Sequence, residues 1–170
     1  MAQSQLPSLP RIAAVDALVG PHLTVTWTSG GRDDIDLSGW IATGGAFFAQ
    51  LSDTRVFASA VPAEYGTMVQ WAGDDNLVID AFHLALLAEQ QRPFGSAELT
   101  AWQQQLGLSN AEAADLLDIG RSTWHGYKSG DAAIPAAVRI ACRAVARDKV
   151  LFEAYYRPRP PAGRPRKSAP

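Results

Sequence analysis

Between residues 106 and 134 the chain reads LGLSNAEAADLLDIGRSTWHGYKSGDAAI, a spacing that admits little besides two short helices joined by a tight turn. Ser109 and Glu112 stand in an S-x-x-E arrangement, in which hydroxyl and carboxylate each satisfy a backbone N–H that a helix start leaves free. A helix is therefore predicted over residues 110–117. Ala113, Ala114 and Leu117 form its inward stripe while Glu112 and Asp115 face outward, and the small alanines let another helix approach closely. Asp118-Ile119-Gly120 interrupts this pattern, with Ile119 as an apolar plug and Gly120 as the residue expected to take the turn conformation. Steps of about 100° over residues 121–129 then place Trp124 and Tyr127 on one side of a second helix. Arg121, Ser122, His125, Gly126 and Ser129 fall on the other. Gly130 and Asp131 end it, as a glycine just past the last periodic residue does.

A capped helix, a short glycine-containing turn and a second helix with a donor-rich face make up the helix-turn-helix signature. The stretch resembles that of phage-repressor-like (Xre type) regulators over roughly residues 96–146, with Ala114, Leu117, Ile119, Ser122, Gly130 and Pro135 where the pattern expects them. Ala113 stands where the family usually has leucine, and Trp124 where it has a small branched residue. A paired exchange of volume is tolerated better than either change alone. The resemblance implies an all-α, repressor-like bundle of about four or five helices that binds double-stranded DNA. In it, Arg121 and Ser122 would reach base edges in the major groove first, since a bidentate arginine to guanine is the commonest specific contact. His125 and Ser129 extend that face. Asn110 resembles a position that usually holds glutamine and braces the recognition helix or touches phosphate, and Lys128 would add sequence-independent attraction. One recognition helix spans one half-site, so a homodimer is expected.

Charge divides the chain along the same line. The formal net charge is only −2, yet residues 1–91 hold three Arg and ten Asp or Glu, net −7, and residues 92–170 hold twelve Lys or Arg and seven Asp or Glu, net +5. A half that binds a polyanion joined to one that does not would produce this asymmetry. At 170 residues, 47% hydrophobic and 19% charged, the chain suits one ordinary domain or two small ones and excludes disorder throughout. Its single cysteine, Cys142, rules out an internal disulfide. No segment approaches the roughly 18 consecutive apolar residues of a membrane span, and residues 1–10 lack the regions of a signal peptide. A cytoplasmic protein without membrane contact is expected.

Residues 1–91 read as an α+β domain, an antiparallel meander with short helices. Strands are predicted over 11–19 and 22–28, the latter alternating strictly, and over 32–37 after a Ser29-Gly30-Gly31 hairpin turn. Asp33, Asp34 and Asp36 invite a metal reading but lack a histidine partner or calcium-loop spacing, so a solvated strand face is expected and no metal is assigned. One short helix is predicted over 46–51, two further strands over 56–61 and 67–71, and a turn at Gly73-Asp74-Asp75-Asn76 that closes the sheet. Residues 77–91 then read as one helix, with Leu77, Ile79, Ala81, Phe82, Leu84, Ala85 and Leu87 as a wide apolar face and His83 in a structural role. The strand pattern R-I-x-x-V, L-T-V-T-W, G-G-R, I-D-L, F-F-A-Q-L and V-Q-W-A-G-D-D-N-L resembles a small bacterial α+β domain family with no assigned function. That resemblance implies a fold and no activity. Members occur beside short toxin-like genes, which implies an antitoxin reading with a small protein partner bound by this domain.

Arg92-Pro93-Phe94-Gly95 marks the boundary, giving domains over 1–91 and 92–157. Ser96 is expected to cap the next helix, with Leu99, Trp102 and Leu106 buried. Pro135 opens a further helix with Val138, Ile140, Ala141, Cys142, Val145 and Ala146 as inward candidates. Arg139, Arg143 and Arg147 line up on it as either a solvated or a phosphate-facing row. Cys142 is expected to pack as a small apolar group. Residues 150–156 offer Leu151, Phe152, Tyr155 and Tyr156 for docking. The proline-rich basic tail over 158–170 is expected to be disordered alone. Within it, Gly163 to Lys167 resembles the core of an AT-hook with Arg164 and Arg166 as groove-inserted residues, although Ala162 replaces an expected arginine.

These features point to a sequence-specific DNA-binding transcriptional regulator. The alternative is a protein-interaction module or antitoxin in which DNA binding is secondary; an exposed Trp124 would favour it. No phosphate loop, nucleophile elbow, zinc signature or Cys/His pair supports an enzyme, and no cofactor is expected.

Overall fold

The alternation in Leu23-Thr24-Val25-Thr26-Trp27 suits a strand whose two faces differ. In the computed structural model, which describes residues 9–159, it forms the centre of an antiparallel sheet of β1 (Ile12–Ala17), β2 (His22–Trp27) and β3 (Arg32–Asp36). The register pairs Leu23 with Ile35 and Val25 with Asp33, so Leu23, Val25, Ile35 and Leu37 are fully buried. The hairpin closes through the Trp27 N–H donating to the Gly31 carbonyl at 3.1 Å.

Three short helices follow: α1 (Ser38–Thr43), α2 (Gly45–Phe48), continued by a 3-10 turn at Ala49–Ser52, and α3 (Thr54–Phe57). The helix expected over 46–51 is present as α2 and the 3-10 turn that continues it, whereas the strand expected over 56–61 is displaced by α3. The Asp53 carboxylate accepts the Arg55 N–H at 2.8 Å, which caps a helical turn and takes Val56 and Phe57 out of the strand. β4 (Val61–Ala63) starts only afterwards. It pairs with β5 (Met68–Trp71), and β5 with β6 (Asp74–Asp80), as a second three-stranded antiparallel sheet.

β6 replaces both the closing turn and the first part of the helix expected over 77–91. Leu77 and Ile79 are buried while Asn76 and Asp80 are exposed, a period of two, and Ile79 pairs with Val69. The helix α4 (Ala81–Gln91) begins where the Asp80 carboxylate accepts the His83 N–H at 2.8 Å. Both sheets and α4 share one buried cluster that includes Leu23, Ile35, Trp71, Leu77 and Leu84. Gly66, at φ +77°, lies against β1 so closely that a Cβ would stand 2.2 Å from the Ile12 carbonyl oxygen, which only glycine permits. At the end of α4, Gln91 bonds both backbone groups of Asp36, at 2.8 and 2.7 Å, and Arg92 pairs with Asp33 at 3.1 Å. Arg92, assigned from sequence to the second domain, therefore belongs with the first unit, and the chain divides after it.

The second unit is all helix: α5 (Ser96–Gln105), α6 (Asn110–Leu116), α7 (Arg121–Ser129), α8 (Ala136–Arg147) and α9 (Lys149–Tyr155). Gly95 rather than Ser96 caps α5, its N–H donating to the Glu98 carboxylate at 2.8 Å. Leu99, Ala113, Ala114, Trp124 and Cys142 are fully buried in one cluster, and the Trp102 indole N–H donates to the Cys142 carbonyl at 2.8 Å, joining α5 to α8. Ile140 was an inward candidate but is 65% exposed. It lies two residues, about 200°, from Cys142, which holds the buried face. Asp148 ends α8 and caps α9 by accepting the Leu151 N–H at 3.0 Å. The architecture is α+β, and among the described residues no helix is long and apolar enough to cross a membrane.

Candidate nucleic-acid interface

The capping box predicted at the head of α6 forms as two reciprocal bonds. Ser109 N–H donates to the Glu112 carboxylate at 2.9 Å, and the Glu112 N–H to Ser109 Oγ at 3.3 Å. The turn that follows differs from expectation. Gly120 has ordinary extended backbone at φ −65° and serves as the N-cap of α7, whereas Asp118 takes the left-handed conformation at φ +51°. Aspartate tolerates that region better than most residues because its short polar side chain bonds locally. The Ile119 N–H then returns to the Ala114 carbonyl at 3.0 Å, closing the turn.

α7 is fixed from behind. Trp124 is fully buried and Tyr127 nearly so, while Arg121, Ser122 and His125 are exposed on the opposite side, one helical turn covering all three. Their side chains form no hydrogen bonds among the described residues. Ser129, at the last position, is committed locally through its hydroxyl, which donates to Asp131 at 2.6 Å. Gly130 at φ +83° stops the helix.

Asn110 and Lys128 sit in a polar network that joins three helices. The Asn110 Oδ1 accepts from both the Trp124 indole N–H and the Gln103 side-chain amide, each at 3.0 Å. Gln103 is buried; its amide also reaches the Leu108 carbonyl at 2.9 Å, and its Oε1 accepts from the Lys128 ammonium at 2.6 Å. Lys128 additionally lies 5.8 Å from the centre of the Trp124 ring, within cation–π reach. Asn110 thus braces α7 through its own side chain, and Lys128 is held at its ammonium end. Gln103 was not singled out from the sequence, because a glutamine beside a tryptophan carries no periodic signal.

A second group missed by sequence reasoning lies at the end of the chain's described part. Beyond α9, Tyr156 OH donates to Glu112 Oε1 at 2.9 Å and the Arg159 N–H to the same oxygen at 3.1 Å. The Arg159 guanidinium takes both oxygens of Asp115, at 2.5 and 2.8 Å. The tail expected to be disordered from residue 158 is therefore laid against α6 as far as Arg159. Glu112 is held down at about 2, by the Ser109 hydroxyl and N–H first and then by Arg159 and Tyr156; the Arg159 guanidinium lowers the carboxyl of Asp115. Arg164 and Arg166 lie outside the described residues.

The aspartates of β3 are engaged within their own unit: Asp33 by the Trp27 indole N–H at 2.7 Å and by Arg92, Asp34 by the Thr24 hydroxyl, and Asp36 by Ser38. The first unit also contains a cavity of about 300 Å³ with Ile41, Leu51 and Phe57 among its walls and the hydroxyl residues Ser38, Ser52 and Thr54 on its lining.

No protein-family model matches the chain, and no curated protein matches it. Among solved structures it is similar to the crystal structure of a candidate DNA binding protein from Nitrosomonas europaea ATCC 19718. The identity is 24%, the TM-score 0.42, and the match covers 81% of this chain and 86% of that one.

Proposed function

We propose that this protein binds double-stranded DNA sequence-specifically and regulates transcription, with α7 lying in the major groove. The observation that carries this reading is the two-sided construction of α7. Trp124 and Tyr127 are buried and anchor it, and Arg121, Ser122 and His125 stand exposed on the other face with no side-chain hydrogen bond or ion pair among the described residues. Arg121 is the first helical residue, where a cation opposes the helix dipole. That placement serves DNA better than it serves the helix. Arg121 reads a guanine edge, Ser122 and His125 contact neighbouring bases or phosphates, and Lys128 contributes to phosphate attraction from its braced position. Two copies acting together cover a two-part site, and the first unit, with its cavity, receives a ligand or a protein partner. The buried state of Trp124 supports this over a docking scaffold, for which an exposed indole would have been the sign.

Duplexes selected from a randomised library with the full-length protein, then titrated at several salt concentrations by fluorescence anisotropy, test the proposal. Arg121→Ala should lose about 1–3 kcal/mol of discrimination at one base pair. Removing residues 160–170 should weaken all duplexes alike and flatten the salt dependence. Failure to enrich any duplex would refute DNA binding, and an equal loss on every duplex for Arg121→Ala would remove its base-reading role.

A further inference from the structure

Asp115 occupies an awkward place for a DNA-binding surface. It is an exposed carboxylate on α6, the helix that precedes the recognition helix in the motif, and it lies near enough to Arg121 for that guanidinium's charge to act on it. A carboxylate beside an arginine at a helix start is a natural counter-charge. An unoccupied carboxylate there is a counter-charge for the Arg121 side chain. In this structure Asp115 is already occupied: Arg159 binds both of its oxygens in the fork geometry that a guanidinium makes with a carboxylate. Among the described residues Arg121 forms no ion pair.

Arg159 is itself held in place by independent contacts. Its backbone N–H donates to Glu112, the Tyr156 hydroxyl donates to the same carboxylate oxygen, and the Tyr156 ring stacks on Phe152 with centroids 4.9 Å apart. Four contacts thus pin a short strap, residues 156–159, across α6. The strap brings a cation to an acidic group on which the charge of Arg121 also acts.

We propose that Arg159 is a positioning residue: by occupying Asp115 it keeps that carboxylate from Arg121 and leaves the guanidinium at the head of α7 open to a base edge. The proposal rests on the DNA-binding reading, but the competition between the two arginines for Asp115 does not. Removing Arg159 lets Arg121 fold back onto Asp115, and sequence discrimination falls without any change in the residues that touch DNA. An exposed ion pair is worth at most about 1 kcal/mol, so the loss in discrimination is roughly threefold to fivefold.

Two measurements on the full-length protein test this. In the first, a selected duplex and its variant at the base pair sensed by Arg121 are titrated with the parent, R159A, R121A, R159A/D115N and R159A/R121A. R159A should lose discrimination, D115N should restore it, and R159A should add nothing in the R121A protein. Equal weakening on both duplexes, as the loss of a mere phosphate contact would give, overturns the proposal, and so does a failure of D115N to restore. In the second, which needs no DNA, the Asp115 carboxyl is titrated by carbon-detected NMR. Adding R121A should raise its pKa far more in the R159A protein than in the parent; an equal effect in both overturns the competition. If no duplex is enriched at all, the DNA reading falls and this second measurement alone decides whether Arg159 keeps Asp115 from Arg121.

Discussion

The indole of Trp124 is fully enclosed by the second unit's core, yet its N–H is satisfied by Asn110 at 3.0 Å, and its ring lies 6.3 Å from that of Trp102. Trp124→Val removes the packing and also takes one donor away from Asn110. A large-to-small change at such a site costs about 3 kcal/mol, because neighbours relax only partly into the space. Thermal melting should show that loss, and Ala113→Leu in the same protein should recover part of it, since Ala113 is fully buried in the same cluster. A Trp124→Val protein as stable as the parent would end the volume-exchange idea. At this scale the sequence is readable where a residue's neighbours are local. The Ser109 and Glu112 pair lies within one turn of helix, and it formed as its spacing implied. Gly120 misled because glycine permits a left-handed turn without requiring one, and Asp118 took that conformation.

Elements are specified by caps as much as by apolar patterns. Residues 77–91 carry enough apolar side chains for a single helix, but Asp80 caps at Ala81, and the alternation of Leu77 and Ile79 upstream belongs to a strand. Periods of two and of 3.6 overlap over so few residues that pairing with β5 decides. The strap across α6 was beyond the sequence for a different reason: Tyr156 and Arg159 meet their partners 44 residues away, a separation that no local pattern encodes. Its electrostatics predict how the second unit responds to acid. Glu112 is lowered from the ordinary value of 4.5 to about 2, chiefly because the Ser109 hydroxyl and N–H bond its charged form. A carboxylate lowered on folding contributes stability that is present above its ordinary value and lost as pH falls through its folded one. Melting followed by circular dichroism should therefore show stability declining between pH 4.5 and about 2. Glu112→Gln should be less stable than the parent near neutrality and match it at the acid end of that window. A constant difference across the range would show that the charge of Glu112 is not what the cap and strap use.

At the scale of the whole chain, two separate buried clusters, one in each unit, accompany a separation of charge in which the first 91 residues are net acidic and the remainder net basic. Charge and composition mark a change near residue 91 in the sequence, because they need no knowledge of contacts. What they could not supply was the position of Arg92, which its ion pair with Asp33 assigns to the first unit. The single cysteine gives this two-part construction a practical consequence. Cys142 is fully buried, and burial pushes its thiol up to about 12, so in the folded second unit almost no thiolate exists and no reagent reaches it. Modification must wait for that unit to open. The labelling rate by a thiol-reactive dye, read by mass spectrometry, should rise severalfold in Trp124→Val, whereas an unchanged rate would mean that the thiol is reached without opening. With no other cysteine in the chain, the molecule carries a chemical clock that keeps time for its helical half alone.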